Sequence, residues 1–406
     1  MSEGLRFLHA SDFRLDQPLE AGLDVPPELR DLLIDAPYLA ATRVFDAAVN
    51  EDVAFLALSG NLLKLDRAGP RGPVFLVEQF ERLAASGIGV YWCGGPTDPP
   101  DQWPSVLRLP ENVHVFPAGR ISERVHERGG LPLARLIGIS LVSARQLRPN
   151  DFEPDAGGLP TVAVACGSAE PAALAARGLH YWALGGLPAR TTLQTDPCVA
   201  HFPGSPQGRR AEEKGVSGCT LVEWEAGRPR TSLVPCDVAR WADQRLVIDG
   251  KVSRGELEQR LRSAAQELRA AAPIAQWMVR WSIGGSGPLW NELRRGALAE
   301  ELLEWLRAEF GSQRPGLWSL GVEGDATAAP PHGLLEEESI LGDYLREIRS
   351  AQLNPQLPLE LDVYLNDSQL AGELAMVAQL PAGDQRERAL AEAAWLGVDL
   401  LAPQAQ

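Results

Sequence analysis

The sequence predicts an α/β chain. A parallel sheet covered by helices comes first, and a β-rich half follows whose strands form a second sheet stacked on the first. A small α+β module and a helical tail complete it. Three observations lead there. Short apolar runs alternate with amphipathic helical stretches at the start. Closely spaced strands with few helices follow, and after residue 331 the chain becomes strongly acidic and helix-patterned.

Taken in order, Arg6–Ala10 reads as a strand and Tyr38–Asn50 as a helix. Ala54–Leu58 is a second strand, Val74–Ala85 a helix and Ile88–Trp92 a third strand. This βαβαβ order implies parallel strands. Val113–Phe116, Ala134–Ile139, Thr161–Ala165, Tyr181–Leu184, Cys219–Glu225 and Thr231–Pro235 then read as short strands. The pattern restarts around Trp241–Arg245, with a short strand at Leu246–Ile248. A helix over Arg254–Ala271 carries leucines at 257, 261 and 268. Gln276–Ser282 is a strand, Pro288–Arg295 and Leu298–Phe310 are helical, and Leu317–Val322 is a strand. Trp277, Trp281 and Trp290 read as core residues of this module, since aromatic side chains dominate cores. The segment GDATAAPPHG, 324–333, has a linker's composition. Ser339–Arg349 and Arg386–Leu401 read as amphipathic helices, the second with an apolar stripe of Leu390, Ala394 and Leu401. The predicted domains are therefore 1–240, 241–323, a linker at 324–333, and an acidic helical segment at 334–406 that is either solvated or docks a partner.

Composition narrows the function. The 406 residues contain 38 Lys+Arg and 54 Asp+Glu, a formal charge of −16. A field of that sign repels phosphate backbones and argues against strong sequence-independent DNA affinity, leaving a local basic groove open. From 331 onward 13 acidic and 4 basic residues give a net −9. No run of about 18 apolar residues exists to form a membrane span. The start MSEGLRFLHASD lacks a basic segment followed by a long apolar core, so no secretory leader is expected and the chain reads as cytoplasmic. Five cysteines, at 93, 166, 198, 219 and 236, form no CxxC pair. They read as buried, reduced thiols. The histidines, at 9, 114, 126, 180, 201 and 332, are never paired at metal-ligand spacing.

Five stretches each run a strand into a turn: FLHASDFRLD (7–16), FLALSGNLLK (55–64), VYWCGGPTDPP (90–100), VAVACGSAE (162–170) and HYWALGGLPAR (180–190). A sixth, HFPGSPQGRRAEEKGVSGCTLVEW (201–224), holds a PGS-x-x-x-R segment, a Glu-x-Gly turn and a strand. In order and spacing these resemble the calcineurin-like metallophosphoesterases, and within them the bacterial SbcD and YhaO branch of DNA-repair exonucleases. The resemblance covers about 1–240. It implies a four-layer αββα sandwich, with 245–322 matching the family's capping domain in position only.

The resemblance also implies a ligand set at the carboxyl ends of the strands. In the family, Asp-x-His, Gly-Asp, Gly-Asn-His-Asp, a lone His and Gly-His-x-His hold two divalent ions. The ions activate water and steady an in-line phosphate displacement, and such hard ligands suit manganese. Here Asp12 matches the first Asp, but its partner is Arg14, a permanent cation that cannot ligate. The bridging carboxylate falls on Asn61. The family's Asn falls on Gly95 and its catalytic His on Pro96, with Asp98 a residual ligand only after a one-residue slip. The lone His falls on Cys166, and the last pair on Gly186 and Pro188.

By this resemblance the expected protein has lost its dinuclear centre, carries no cofactor, and serves as a non-catalytic subunit of an SMC-type (SbcC-like) coiled-coil ATPase in DNA repair. Homodimerisation is implied by the family alone. An active manganese-dependent exonuclease using Asp12, Asn61 and Asp98, and a binding module for DNA ends or another protein, are the competing readings. A mixed Cys166–Asp12 site or a Cys166 nucleophile with His9 or His180 as base would need convergence that no spacing shows. Arg14 is read either as partial replacement for the lost positive charge beside Asp12 or as an incidental pair. Arg209, Arg210 and Lys214 are the candidate phosphate or DNA contacts.

Overall fold

The computed structural model describes residues 4–20, 25–67, 69–141, 147–155, 157–325, 332–359 and 382–401. The chain divides into two compact units, Met1–Ala242 with Arg269–Met278 and Gln313–Leu317, and Asp243–Leu268 with Val279–Ser312 and Trp318–Gln406.

The first unit is a four-layer αββα sandwich. Its strands are β1 (Arg6–Ala10), β2 (Phe55–Leu58), β3 (Gly89–Cys93), β4 (Val113–Phe116), β5 (Ser122–Arg128), β6 (Leu131–Ile139) and β7 (Thr161–Cys166). After these come β8 (Tyr181–Gly185), β9 (Thr191–Gln194), β10 (Val199–Phe202), β11 (Gly218–Glu225) and β12 (Arg228–Pro235). One sheet runs β12-β11-β1-β2-β3-β4, the other β5-β6-β7-β8-β10-β9. The inner strands β1 to β4 pair in parallel, as do β6, β7, β8 and β10.

Alternation along each strand builds the layers. Leu8 and Ala10 of β1, with Leu56, Leu58, Val90 and Trp92, pack against α1 (Pro27–Asn50) and α2 (Arg71–Ala85) through Val44, Phe45, Leu76, Phe80 and Leu83. Phe7, Phe55, Tyr91 and Phe116 instead meet Leu136, Val162, Val164 and Tyr181 between the sheets. Phe7 stacks on Phe55 at 4.7 Å and meets Tyr181 edge-on at 5.4 Å. On the far side Ala163, Trp182 and Ala200 are covered by Phe152, Leu179 and Leu174, the last from α3 (Pro171–Ala175). Parallel strands buried on both faces read as continuous apolar runs, which is why they are visible in the sequence.

Several element readings are corrected. The first helix begins at Pro27, not Tyr38: Leu29, Leu33 and Ala36 extend its buried face, and the helix runs through Pro37. Strands β5, β9 and β10 were not expected. β5, SERVHER, is a mostly exposed edge strand without an apolar run.

A three-stranded sheet, most of whose residues belong to the second unit, orders β13 (Ala239–Ile248), β14 (Gln276–Gly285) and β15 (Leu317–Gly324). β13 is one ten-residue strand, so no break falls at Trp241–Arg245. Around this sheet lie α4 (Arg254–Ala271), α5 (Pro288–Arg294) and α6 (Ala297–Phe310). Leu257 and Leu261 are buried, and so are Trp281, with its indole on Ser319 at 3.0 Å, and Trp290, with its indole on the Ile283 carbonyl. Trp277 is buried as well.

Residues 326–331 of the expected linker lie outside the described residues. The short helix α7 (His332–Leu335) is followed by α8 (Ile340–Leu353) and α9 (Asp384–Leu401). Leu341, Leu345 and Ala394 form the core between α8 and α9. On α9, Leu390 and Ala394 are buried but Leu401 is 42% exposed, which removes it from the expected stripe. Arg294 of α5 instead clamps Asp399 with its two terminal guanidinium nitrogens, Nη1 and Nη2, and lies over the rings of Trp290 and Trp395. No described helix is long and apolar enough to cross a membrane.

Candidate functional site

The turns that follow β1, β2, β3 and β8 meet the end of β7. Gly60 and Gly95 touch there: a Cβ on Gly60 would lie 2.8 Å from the Gly95 nitrogen and 3.1 Å from the Cβ of Cys166. A Cβ on Gly95 would lie 2.7 Å from Asn61 Oδ1 and 2.8 Å from Cys166 Sγ, and one on Gly186 3.3 Å from the same sulfur. Asp12, Asn61, Gly95, Cys166 and Gly186 are thereby gathered, although they are dispersed in the sequence.

The backbone is held in an unusual state here. Asp12, Arg14 and Asn61 have φ of 56°, 48° and 57°. Asp and Asn tolerate this left-handed region, whereas Arg is rarer there. The two loops sustain it by continuing the strand pairing: Asp12 N donates to Gly60 O, Arg14 N to Asn61 O, and Leu15 N to Leu62 O, at 3.0–3.1 Å.

The side chains satisfy one another. The buried Asp12 carboxylate accepts from Ser11 Oγ (2.8 Å), Asn61 Nδ2 (3.0 Å) and Gly186 N (2.8 Å), and Arg14 Nη2 lies 3.3 Å from Oδ1. Asn61 Oδ1 accepts from Thr97 Oγ1 at 3.0 Å. Cys166 Sγ fills the space between the glycines, and burial, with Asp12 and Asp98 nearby, pushes its thiol well up. A protonated thiol is neither a good nucleophile nor a good ligand.

Asp98 answers why the loop after β3 carries a carboxylate. Its Oδ1 accepts from Asn61 N and Gly95 N, both at 2.8 Å, and its Oδ2 from Leu62 N (3.1 Å) and Trp92 Nε1 (3.2 Å). It is fully buried, and burial pushes its carboxyl up to about 6 despite those four donors. Asp98 braces two loops; a metal would have to displace the brace. Pro96 is exposed and Pro188 half-buried, and neither has a donor atom in its side chain.

Neither histidine considered as a base reaches Cys166. His9 lies between the sheets, Nδ1 on the Tyr181 hydroxyl (2.9 Å) and Nε2 on Ser59 Oγ (2.6 Å). His180 Nδ1 accepts from Thr161 N at 3.1 Å. Sequence reasoning missed His201, 6.1 Å from His9 between ring centroids and bonded to Thr192 and Thr220. It also missed Ser11, whose place before Asp12 was the available signal.

Of the expected basic cluster Arg209 is buried, whereas Arg210 and Lys214 are exposed. Arg209 is 3% exposed, its Nη1 on Gln17 Oε1 and its Nη2 3.7 Å from Glu213 Oε1. Arg210 is exposed but pairs with Glu213 at 3.5 Å and Glu20 at 4.0 Å. Lys214 is exposed.

Among the described residues no three His, Cys, Asp or Glu side chains gather as a metal site. The donors at the gathered positions do not fit two divalent ions: one carboxylate already saturated by the chain, an amide, a protonated thiol, glycines, and a guanidinium where an imidazole is needed.

Two stacked six-stranded sheets between helices, with loops converging at the strand ends, define a metallophosphoesterase-like fold. No protein-family model matches the chain. A Bacillus subtilis (strain 168) protein named "Uncharacterized metallophosphoesterase YhaO" is 27% identical over 340 residues, covering 80% of this chain and 82% of that protein. This similarity supports the metallophosphoesterase superfamily. Vacuolar protein sorting 29 from Cryptosporidium parvum is 11% identical over 58% of this chain and 98% of its own, and at a TM-score of 0.26 the likeness carries no argument.

Proposed function

We propose that this phosphoesterase-family protein has exchanged its dinuclear metal centre for a self-satisfied hydrogen-bond cluster. In this reading it acts as a non-catalytic subunit of an SMC-type coiled-coil ATPase in DNA repair. The observation that carries the first part is the state of Asp12: the one matching carboxylate is bonded by Ser11, Arg14, Asn61 and Gly186. Two dications need several anions or imidazoles to offset their repulsion, and the neutral amide of Asn61 stands where the bridging carboxylate would be.

The partner follows from the resemblance of 1–240 to the SbcD and YhaO branch. It is supported by α9, which leaves Leu396 and Leu400 55% and 73% exposed on one helical face. The test has two arms. Purified chain incubated with manganese and single- or double-stranded DNA should leave the DNA intact; degradation that disappears in Asp12→Ala would overturn the loss of activity. The chain should co-elute with an SMC-type ATPase, and Leu396→Glu with Leu400→Glu should abolish co-elution. Failure of the wild-type chain to co-elute would overturn the partnership.

A further inference from the structure

Next to the Asp12 cluster the chain buries a guanidinium whose strongest recognition edge is unused. Arg209 is 3% exposed. Its Nη1 donates to Gln17 Oε1, but among the described residues neither Nε nor Nη2 finds a hydrogen-bond acceptor. Nε–H and the Nη2–H beside it form the side-on fork of a guanidinium, two parallel donors at the spacing of two oxygens on one phosphorus or carbon. Glu213 does not close the fork. Its Oε1 is 3.7 Å from Nη2, beyond hydrogen-bond reach, and its Oε2 accepts from the Arg209 backbone N–H at 3.1 Å.

An arginine cannot shed its proton to relieve this. A buried donor without an acceptor is costly and calls for a water or an ion. A second guanidinium is close by. The turn after β1 brings them together, since Gln17 N donates to Arg14 O at 2.9 Å while the Gln17 side chain holds Arg209. Arg14, with a side chain 23% exposed, supplies the solvent side; Arg209 supplies the buried side. The charge of Arg14, second to burial, holds Arg209 below the usual arginine range, so the two cations sense one another. The acids around them are engaged: Asp12 by its four donors, Glu213 by the Arg209 backbone and Arg210.

We infer that Arg14 and the free fork of Arg209 form a phosphate-monoester site, in which two guanidiniums take the place that dications hold in a metallophosphoesterase. Phosphate is the fitting anion because its tetrahedral dianion can meet a fork with two oxygens and a second cation with a third. The inference rests on the reading that the metal centre is gone.

The test uses the full chain, treated with EDTA and desalted, and calorimetric titration with inorganic phosphate, a 5′-phosphorylated oligonucleotide and its 5′-hydroxyl counterpart. Saturable phosphate binding is expected without metal. Arg209→Lys, which keeps charge but lacks the fork, should weaken it by on the order of tenfold or more, as a lost charged hydrogen bond implies. Arg14→Asn, on the exposed side and tolerant of the left-handed backbone, should weaken it similarly and keeps the test open if the Arg209 variant fails to fold. Tighter binding of the 5′-phosphorylated strand than of free phosphate or the 5′-hydroxyl strand would identify a nucleic-acid end as the source; equal or tighter binding of free phosphate would identify the ion itself. Affinity unchanged in Arg14→Asn would overturn the inference. Absence of binding with and without manganese would overturn it and leave the loss of metal untouched, whereas binding only with manganese would overturn both.

Discussion

Replacing Asn61 by Asp restores the family's bridging carboxylate with a single-atom change and exposes what the cluster has become. Asn61 Nδ2 lies 3.0 Å from Asp12 Oδ1, while its Oδ1 accepts from Thr97. In Asn61→Asp the donor becomes an anion at the same separation. Two unit charges about 3 Å apart repel by about 5 kcal/mol at the effective dielectric of about 20 that suits protein sites. The pair can escape by holding one proton. At pH 7, taking up a proton on a group whose unfolded pKa is about 3.9 costs about 4 kcal/mol, which caps the penalty. The substitution should therefore destabilise the protein by about 3–4 kcal/mol at pH 7 in EDTA. The proton-holding pair has a raised folded pKa, so the penalty should shrink by about 1.4 kcal/mol per pH unit on acidification and nearly vanish around pH 4. Urea unfolding followed by tryptophan fluorescence, variant against wild type at each pH, measures it. A loss below about 1 kcal/mol at pH 7, or one independent of pH, would refute the electrostatic reasoning.

Three further outcomes are expected. His201 is bonded to Thr192 and Thr220, and burial, then Arg190, pushes it down to about 3. Between pH 6.5 and about 3 only the unfolded chain takes that proton, so stability should fall by about 1.4 kcal/mol per pH unit as pH drops through this window and be unaffected above it. His201→Gln should remove that slope in urea unfolding. Asp98, with a folded value of about 6, opposes it by gaining stability as pH falls from about 6 towards 3.8, while His126, pushed down to about 4, and His9, pushed well down, both by burial, add to it, so the His201 contribution is read as the difference between wild type and variant. Asp98→Ala leaves three backbone N–H groups and the Trp92 indole without their acceptor and should lower the urea-derived stability by at least about 3 kcal/mol, through loss of the brace. Arg294→Ala, which removes the clamp on Asp399 and the cation over Trp290 and Trp395, should free α9 to limited proteolysis at protease levels that leave the wild type uncut.

The inner strands were legible because both their faces are buried: FLALS and VYWC carry no polar alternation to hide them. β5 was not, since SERVHER lies at a sheet edge and needs only Val125 and His126 to suggest a strand. The first half of α1 was obscured by Pro37, whose usual role as a helix breaker is overridden by burial of Leu29, Leu33 and Ala36. Within the site, residue identities showed what each turn lacks, but not what the remaining groups do. Nothing local to DPP announces that Asp98 accepts from Asn61, Leu62, Gly95 and Trp92, because two of those donors, the Asn61 and Leu62 backbone N–H groups, are brought in from the loop after β2. The burial of Arg209 was hidden for the same reason. A run of RRAEEK reads as a charged surface, and only the turn at Gln17 draws its first arginine inward. His9 and His201 meet across two sheets from positions far apart in sequence, a relation no spacing rule contains.

Electron paramagnetic titration of manganese into the metal-free full chain bears most directly on the donor chemistry at Asp12. An amide, a buried thiol and one saturated carboxylate should leave the manganese signal that of the free hexaaquo ion up to millimolar concentrations. Quenching to a spin-coupled pair bound per chain, lost in Asp12→Ala, would contradict the account.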